Sequence, residues 1–228
     1  MDIDEFISCE RKRGDSYRLL SACFYPPKKE LYIEENLFEN LSMLLKTVAQ
    51  DAVIFSTEMG KVIQNYSDED LAVEYAKLFM GPYEIKAAPY GSVYLDQGRR
   101  VMGNSTMEVI KIYQEEGLSM DQEFKELPDH IAVELEFMNY IIYKEIDAYA
   151  KSKIEDVRKG LQNQEIFMRK FLWTWVPDFT KAIIENSNNH FYTNLAKCTE
   201  AFIKADMDYI SKAYKKYFES KHSSDCPP

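Results

Sequence analysis

A chain of 228 residues and 26.7 kDa has room for one large domain or two small ones, and at this size roughly 70–75 % of the extended chain's surface is buried on folding. Eight Gly and eight Pro are too few for architectures built on many tight turns, which argues against sandwiches, propellers and Gly-rich phosphate loops and favours helices. Twenty-eight basic against 38 acidic residues leave a net charge of −10, which argues against nucleic acid as a partner, aids solubility and suits a basic ligand.

The N-terminus, Met1-Asp2-Ile3-Asp4-Glu5-Phe6, has neither the basic nor the apolar region of a secretory signal, and no stretch approaches the ~20 apolar residues of a membrane span. Cys9, Cys23, Cys198 and Cys226 are scattered without a Cys-x-x-Cys pair, so they read as reduced thiols and the expected compartment is the cytoplasm. Leu37, Leu41, Leu44, Leu45 and Val48 make the stripe of an amphipathic helix, and Leu71, Tyr75, Leu78 and Phe79 make a second. Ser67-Asp68-Glu69-Asp70 predicts a capping box for that second helix, and Ser105-Thr106-Met107-Glu108 predicts one for a helix carrying Val109, Ile112 and Tyr113 that Gly117 ends. Between them, Gly81 to Gly98 forms an 18-residue loop with Tyr83, Tyr90, Val93, Tyr94 and Leu95. A loop so long and so apolar is either ligand-facing or packed over the core.

From Pro128 to about Tyr149 the stripe Ile131, Leu135, Met138, Ile142 and Ile146 is widened by Val133, Phe137, Tyr140 and Ile141, which predicts a central helix covered on several sides. The polar segment 150–160 is the best candidate for a hinge between two helical halves. Leu161, Met168, Phe171, Leu172 and Trp175 form another stripe, expected to stop or kink near Pro177. Leu195, Cys198, Phe202, Ala205 and Tyr209 mark a last long helix with ordinary packing, and 220–228 reads as a disordered polar tail. The expectation is an all-α, single compact multi-helix bundle over 1–219 with one long aromatic loop.

Enzymatic chemistry finds no support. Phosphate loops, dinucleotide fingerprints, His-Glu-x-x-His and Gly-x-Ser-x-Gly are all missing, and His occurs only at 130, 190 and 222. His130 and Glu134 stand one turn apart but are too few ligands for a metal site, so neither metal nor cofactor is expected. What remains is Leu127-Pro128-Asp129-His130-Ile131 leading into Glu134-Leu135-Glu136-Phe137-Met138. As plain structure, Pro128 suits a first helical turn, Asp129 a cap, and Glu134 and Glu136 a solvated face. As a site, His130 at a helix N-terminus is held neutral by the dipole and can both donate and accept.

Tyr75-Ala76-Lys77-Leu78-Phe79 with Gly81-Pro82, Pro89-Tyr90-Gly91-Ser92-Val93-Tyr94, Gly103, and Pro128-Asp129-His130 with Glu134-Leu135-Glu136-Phe137-Met138 resemble the TorD/DmsD/NarJ family of molybdoenzyme maturation chaperones. The similarity continues through Trp175-Val176-Pro177-Asp178-Phe179 and Phe191-Tyr192 and covers roughly residues 15–215. The resemblance implies a non-enzymatic, all-helical cytoplasmic chaperone. Such a protein binds the twin-arginine signal peptide and the apo-form of a molybdenum-cofactor enzyme, delays export and assists cofactor insertion. It implies a recognition surface of Tyr75, Leu78, Phe79, Pro89, Tyr90, Ser92, Gly103, Asp129 and His130, no stable membrane insertion, and a monomer or helix-swapped oligomer. Gly91 and Leu127 depart from the pattern of many relatives. The competing reading from another class is a helical regulator with a small molecule or nucleotide at Asp129 and His130.

Overall fold

The computed structural model describes residues 3–81, 85–119 and 126–218. Eleven helices are formed among them: α1 (Ile3–Ala22), α2 (Lys29–Glu34), α3 (Leu37–Val48), α4 (Val53–Val62), α5 (Asp68–Tyr75), α6 (Ser92–Leu95), α7 (Asn104–Glu115), α8 (Ile131–Ala150), α9 (Ile154–Phe167), α10 (Trp173–Asn186) and α11 (His190–Phe218). No strand occurs among the described residues, whose only β-type pairing is an isolated bridge between Tyr90 and His130. The fold is the all-α bundle that the periodicity predicts. Tyr83 and the tail 220–228 lie outside the described residues.

α8 is central because both its faces are apolar: twelve of its residues are buried, from Ile131 to Ala148. It packs between α1 and α9, while α11 lies against α4, α9 and α10. The apolar cluster is continuous from Tyr17 to Ile210 and takes in Leu41 and Leu45 of α3, Leu71 and Tyr75 of α5, and Leu195 and Phe202 of α11. Inside it sits one polar knot. Arg13 of α1, fully buried, donates to Asp206 Oδ1 of α11 (2.5 Å), to Gln164 Oε1 of α9 (3.1 Å) and to Glu10. Tyr17 donates to Asp206 (2.6 Å), and Gln164 donates to Glu145 of α8. A buried guanidinium is tolerable only with its charge paired and its N–H groups satisfied, and this knot does both.

The local signals at helix ends match the structure in part. The box at Ser67 forms as expected, with Asp70 N–H donating to Ser67 Oγ (3.1 Å) and Ser67 N–H to Asp70 Oδ2 (2.9 Å). Beyond Tyr75 the helix widens into a π-turn over Ala76–Met80, which Gly81 N–H closes on the Ala76 carbonyl (2.7 Å). α7 ends as predicted, with Gly117 in the left-handed region (φ 85°). Its start does not match, since the N-cap is Gly103 and Ser105 lies inside the first turn. The cap comes from elsewhere: Ser105 N–H and Oγ–H both donate to Asp96 (3.2 and 2.7 Å to Oδ2). A Cβ at Gly103 would overlap that Asp96 carboxylate, so glycine is what lets the cap approach.

Two further corrections concern proline. α8 begins at Ile131, not Pro128, because residues 129 and 130 pair with the loop before α6 instead of entering the helix. Pro177 does not break its helix but sits inside α10. The irregularity is upstream, in a π-turn over Met168–Leu172 where Trp173 N–H reaches back five residues to Met168. Pro177 has no N–H to give the carbonyl of Trp173, four residues back at the first position of α10. The segment expected to be a hinge contains a turn over 151–153, with Ser152 at φ 55°, followed by the start of α9.

Candidate functional site

The segment 85–98 forms a strap that crosses the N-terminus of α8. Ala87 N–H donates to the Leu78 carbonyl (2.9 Å), Ile131 N–H to the Pro89 carbonyl (2.8 Å) and Gly91 N–H to the Asp129 carbonyl (2.8 Å). Asp129, only 1 % exposed, accepts Ser92 N–H on Oδ2 (2.8 Å), and its Oδ1 has no partner. The expected capping role therefore passes to the next residue. His130 Nδ1 accepts Ala132 N–H (3.2 Å), which satisfies one free amide of α8 and leaves the ring hydrogen on Nε2. That nitrogen faces Glu126 Oε2 at 3.9 Å. Burial pushes the imidazole down to about 4, so the ring is neutral for a stronger reason than the helix dipole.

Two tyrosines flank this imidazole, and a third, Tyr75, lies near Tyr90 and Glu126. Tyr90 meets it edge-on (5.4 Å between centroids) and donates to Glu126 Oε2 (3.4 Å). Tyr25 stacks on it (6.2 Å) and donates to Glu136 Oε1 (3.1 Å). Tyr75 is fixed by donating to the Phe24 carbonyl (3.2 Å). Burial, with the Glu126 carboxylate second, pushes the Tyr75 phenol up and the Tyr90 phenol up to about 12, so both stay protonated donors.

The structure thus brings Tyr75, Pro89, Tyr90, Ser92, Asp129 and His130 together. Leu78 and Phe79 stand beneath as core: Leu78 is 0 % exposed, and Phe79 is ringed by Phe24, Tyr75, Phe179 and Tyr192. Gly103 lies at the far end of the strap, joined to it through Asp96. Within the aromatic loop the residues differ in exposure. Tyr90 is partly open, whereas Ser92 and Val93 are buried in α6 and Tyr94 stacks on Trp175 (5.6 Å).

Several participants went unread in the sequence. Glu134, expected on a solvated face, is 0 % exposed; its Oε2 accepts Trp175 Nε1–H (2.9 Å) and its Oε1 has no partner. Burial pushes its carboxyl well up, with Asp129 adding to the effect and Trp175 opposing it. Tyr25 also lines a groove of about 860 Å³ between α1, α2 and α3. Leu19, Leu31, Met43 and Leu44 form its apolar wall, Asp15, Glu35 and Glu136 its acidic edge, and Arg18 and Lys28 also border it. Among the described residues no group of three potential ligands is arranged for a metal, and no helix is long and apolar enough to cross a membrane.

Comparison with known proteins agrees with this architecture. The model of the nitrate reductase delta subunit family matches residues 44–181. The Chaperone protein TorD of Vibrio vulnificus is 24 % identical over 218 residues, spanning 91 % of this chain and 99 % of that protein. The protein of the same name from Vibrio cholerae is 25 % identical, spanning 90 % and 94 %. Among solved structures, one described as a redox enzyme maturation protein of Archaeoglobus fulgidus superposes with a TM-score of 0.51 at 24 % identity, covering 84 % of this chain and 93 % of that one. With the family model matched over more than half of its length, the chain belongs to the nitrate reductase delta subunit family, whose TorD-type members are maturation chaperones and not enzymes.

Proposed function

We propose that this chaperone binds the twin-arginine signal peptide of a molybdenum-cofactor oxidoreductase in the cytoplasm, delays its export and assists cofactor insertion. The observation that carries the reading is the junction at His130. On one side lies Asp129, buried with an oxygen that lacks a donor, and on the other Tyr25 opens the apolar groove of α1, α2 and α3. A signal of this type joins two guanidinium groups to an apolar segment, so a receptor needs carboxylates beside an apolar trough. The nucleotide reading is weaker on charge: the Glu126 carboxylate, 3.9 Å from His130 Nε2, would repel phosphate.

Calorimetric titration with a synthetic twin-arginine signal peptide tests this. Binding is expected to weaken, but not vanish, as salt rises, because the apolar contribution is not screened. Asp129→Asn keeps an acceptor for Ser92 N–H and is expected to lower affinity roughly tenfold with melting nearly unchanged. Absence of binding by the wild type, or nucleotide binding in its place, overturns the proposal. Capture of the precursor from native cytoplasm would then name the client.

A further inference from the structure

Beneath the Gly91–Ser92 peptide lie three polar atoms without a partner: Ser92 Oγ, Asp129 Oδ1 and Glu134 Oε1. Their residues are all at most 1 % exposed. Native interiors satisfy nearly all such atoms, so three on residues of one neighbourhood call for an account. Gly91 and Ser92 define that neighbourhood. Their N–H groups rest on the carbonyl and on Oδ2 of Asp129, and a Cβ at Gly91 would stand 3.3 Å from Glu134 Oε1 and 3.1 Å from Trp175 Nε1. The missing side chain therefore lays the strap's backbone directly against both acids.

Each carboxyl is held by its used oxygen and keeps the other free. Oδ2 of Asp129 is fixed by Ser92 N–H, and Oε2 of Glu134 by the indole N–H of Trp175. Two oriented acceptors and a hydroxyl match a ligand that presents several N–H donors in one rigid plane, which describes a guanidinium and not an ammonium. We propose that Asp129 and Glu134 together form a guanidinium site under the Gly91–Ser92 peptide, with Glu134 making it selective for arginine over lysine. The arginine reaches these free oxygens when the Gly91–Ser92 peptide, which is bonded to the other Asp129 oxygens, shifts aside. The proposal rests on the signal-peptide reading above and assigns a second carboxyl to it.

The charge balance is explicit. The groups facing Glu134 are Asp129 ahead of α8, Tyr113 of α7 and Trp175 of α10, none of them a cation. In the empty site burial pushes the Glu134 carboxyl well up and so favours its protonated form. An arriving arginine supplies the missing positive charge and brings the carboxyl down again, so that the O–H bond of the protonated form breaks, its proton passes to solvent, and a carboxylate–guanidinium pair is left.

The test is titration of wild type and Glu134→Gln, in two buffers of different protonation enthalpy, with diarginine amide, a twin-arginine signal peptide and their lysine counterparts. Gln retains an oxygen for Trp175. Wild type is expected to prefer arginine over lysine roughly tenfold or more and to release a proton on binding; Glu134→Gln is expected to lose both traits while still binding the lysine forms. Should Glu134→Gln fail to fold, Gly91→Ala places a methyl in the same space and carries the same expectation. A signal peptide that binds wild type, Glu134→Gln and Gly91→Ala alike, with equal proton release, overturns the Glu134 assignment and leaves the signal-peptide reading standing. Diarginine amide binding that depends on Glu134, without any signal-peptide binding, keeps the site and overturns that reading. If neither probe binds wild type, both fall.

Discussion

At the scale of single residues, Tyr90 shows how far the sequence could be read. Its place beside Pro89 and its partial exposure fit a ring presented to a ligand, but it also leans on His130 and hydrogen-bonds Glu126. Tyr90→Ala is therefore expected to cost about 1–2 kcal/mol, less than a fully buried aromatic, while binding of the signal peptide falls roughly tenfold. Denaturant melts and calorimetry on one preparation check both numbers, and a larger stability loss with unchanged affinity would make Tyr90 a core residue. Asp129 and His130 stood out through the family resemblance and through a histidine at a helix start, since Pro-Asp before an apolar stripe also makes good plain helix. Glu134 and Trp175 did not, since a Glu on a long helix normally faces water and its indole partner lies 41 positions away.

At the scale of elements, stripes predicted helices well and caps less well. Amphipathic period depends on neighbours three and four residues apart, so α3, α5 and α8 could be found locally. The cap of α7 could not, because its acceptor Asp96 lies nine residues ahead of Ser105 across a turn. Asp96→Ala is expected to destabilise the fold by about 1–2 kcal/mol, the usual value of a lost helix cap, and Asp96→Asn by clearly less. Thermal melts of the two variants decide it, and equal losses would mean that charge, not capping, matters there. Pro177 was misread for a related reason. Proline forbids one hydrogen bond, but it stands only four residues into α10, where that loss is confined to the first turn and the helix can run on beyond it.

On the scale of the whole molecule, the Arg13 knot joins α1, α8, α9 and α11 and gives the protein a definite response to pH. Burial, then the nearby Glu10 carboxylate, push the Glu145 carboxyl up to about 8. The folded state therefore holds a proton that the unfolded chain, with an ordinary carboxyl, has released. Stability falls as pH rises from about 4.5 to 8 on this account. His130 acts in the opposite sense: with its folded value near 4 and an ordinary value of 6.5, stability rises with pH across that interval. The two offset each other below about 6.5 and leave a decline from there to about 8, to which the raised Glu134 also contributes. In Glu145→Gln the drop in Tm between pH 6.5 and 8 is expected to be visibly smaller; an identical drop would exclude Glu145 as a source. Composition and stripes predicted the bundle, but a fully buried Arg on a charge-balanced, outwardly ordinary N-terminal helix is invisible until the four helices meet.

The bridge between strap and central helix makes one backbone amide a built-in sensor. Ile131 N–H, at the first turn of α8 where no carbonyl of its own helix can reach it, is bonded only across to Pro89 (2.8 Å). Its rate of exchange with deuterated solvent therefore measures how often the strap lifts, independently of global unfolding, whereas amides in the middle of α8 exchange only when the whole bundle opens. In the free protein Ile131 is expected to exchange faster than Leu135 or Met138. A bound client that props the strap away from the helix would speed it further, and one that clamps the strap down would slow it, so a single resolved amide reads out the direction of the motion before any complex has been crystallised.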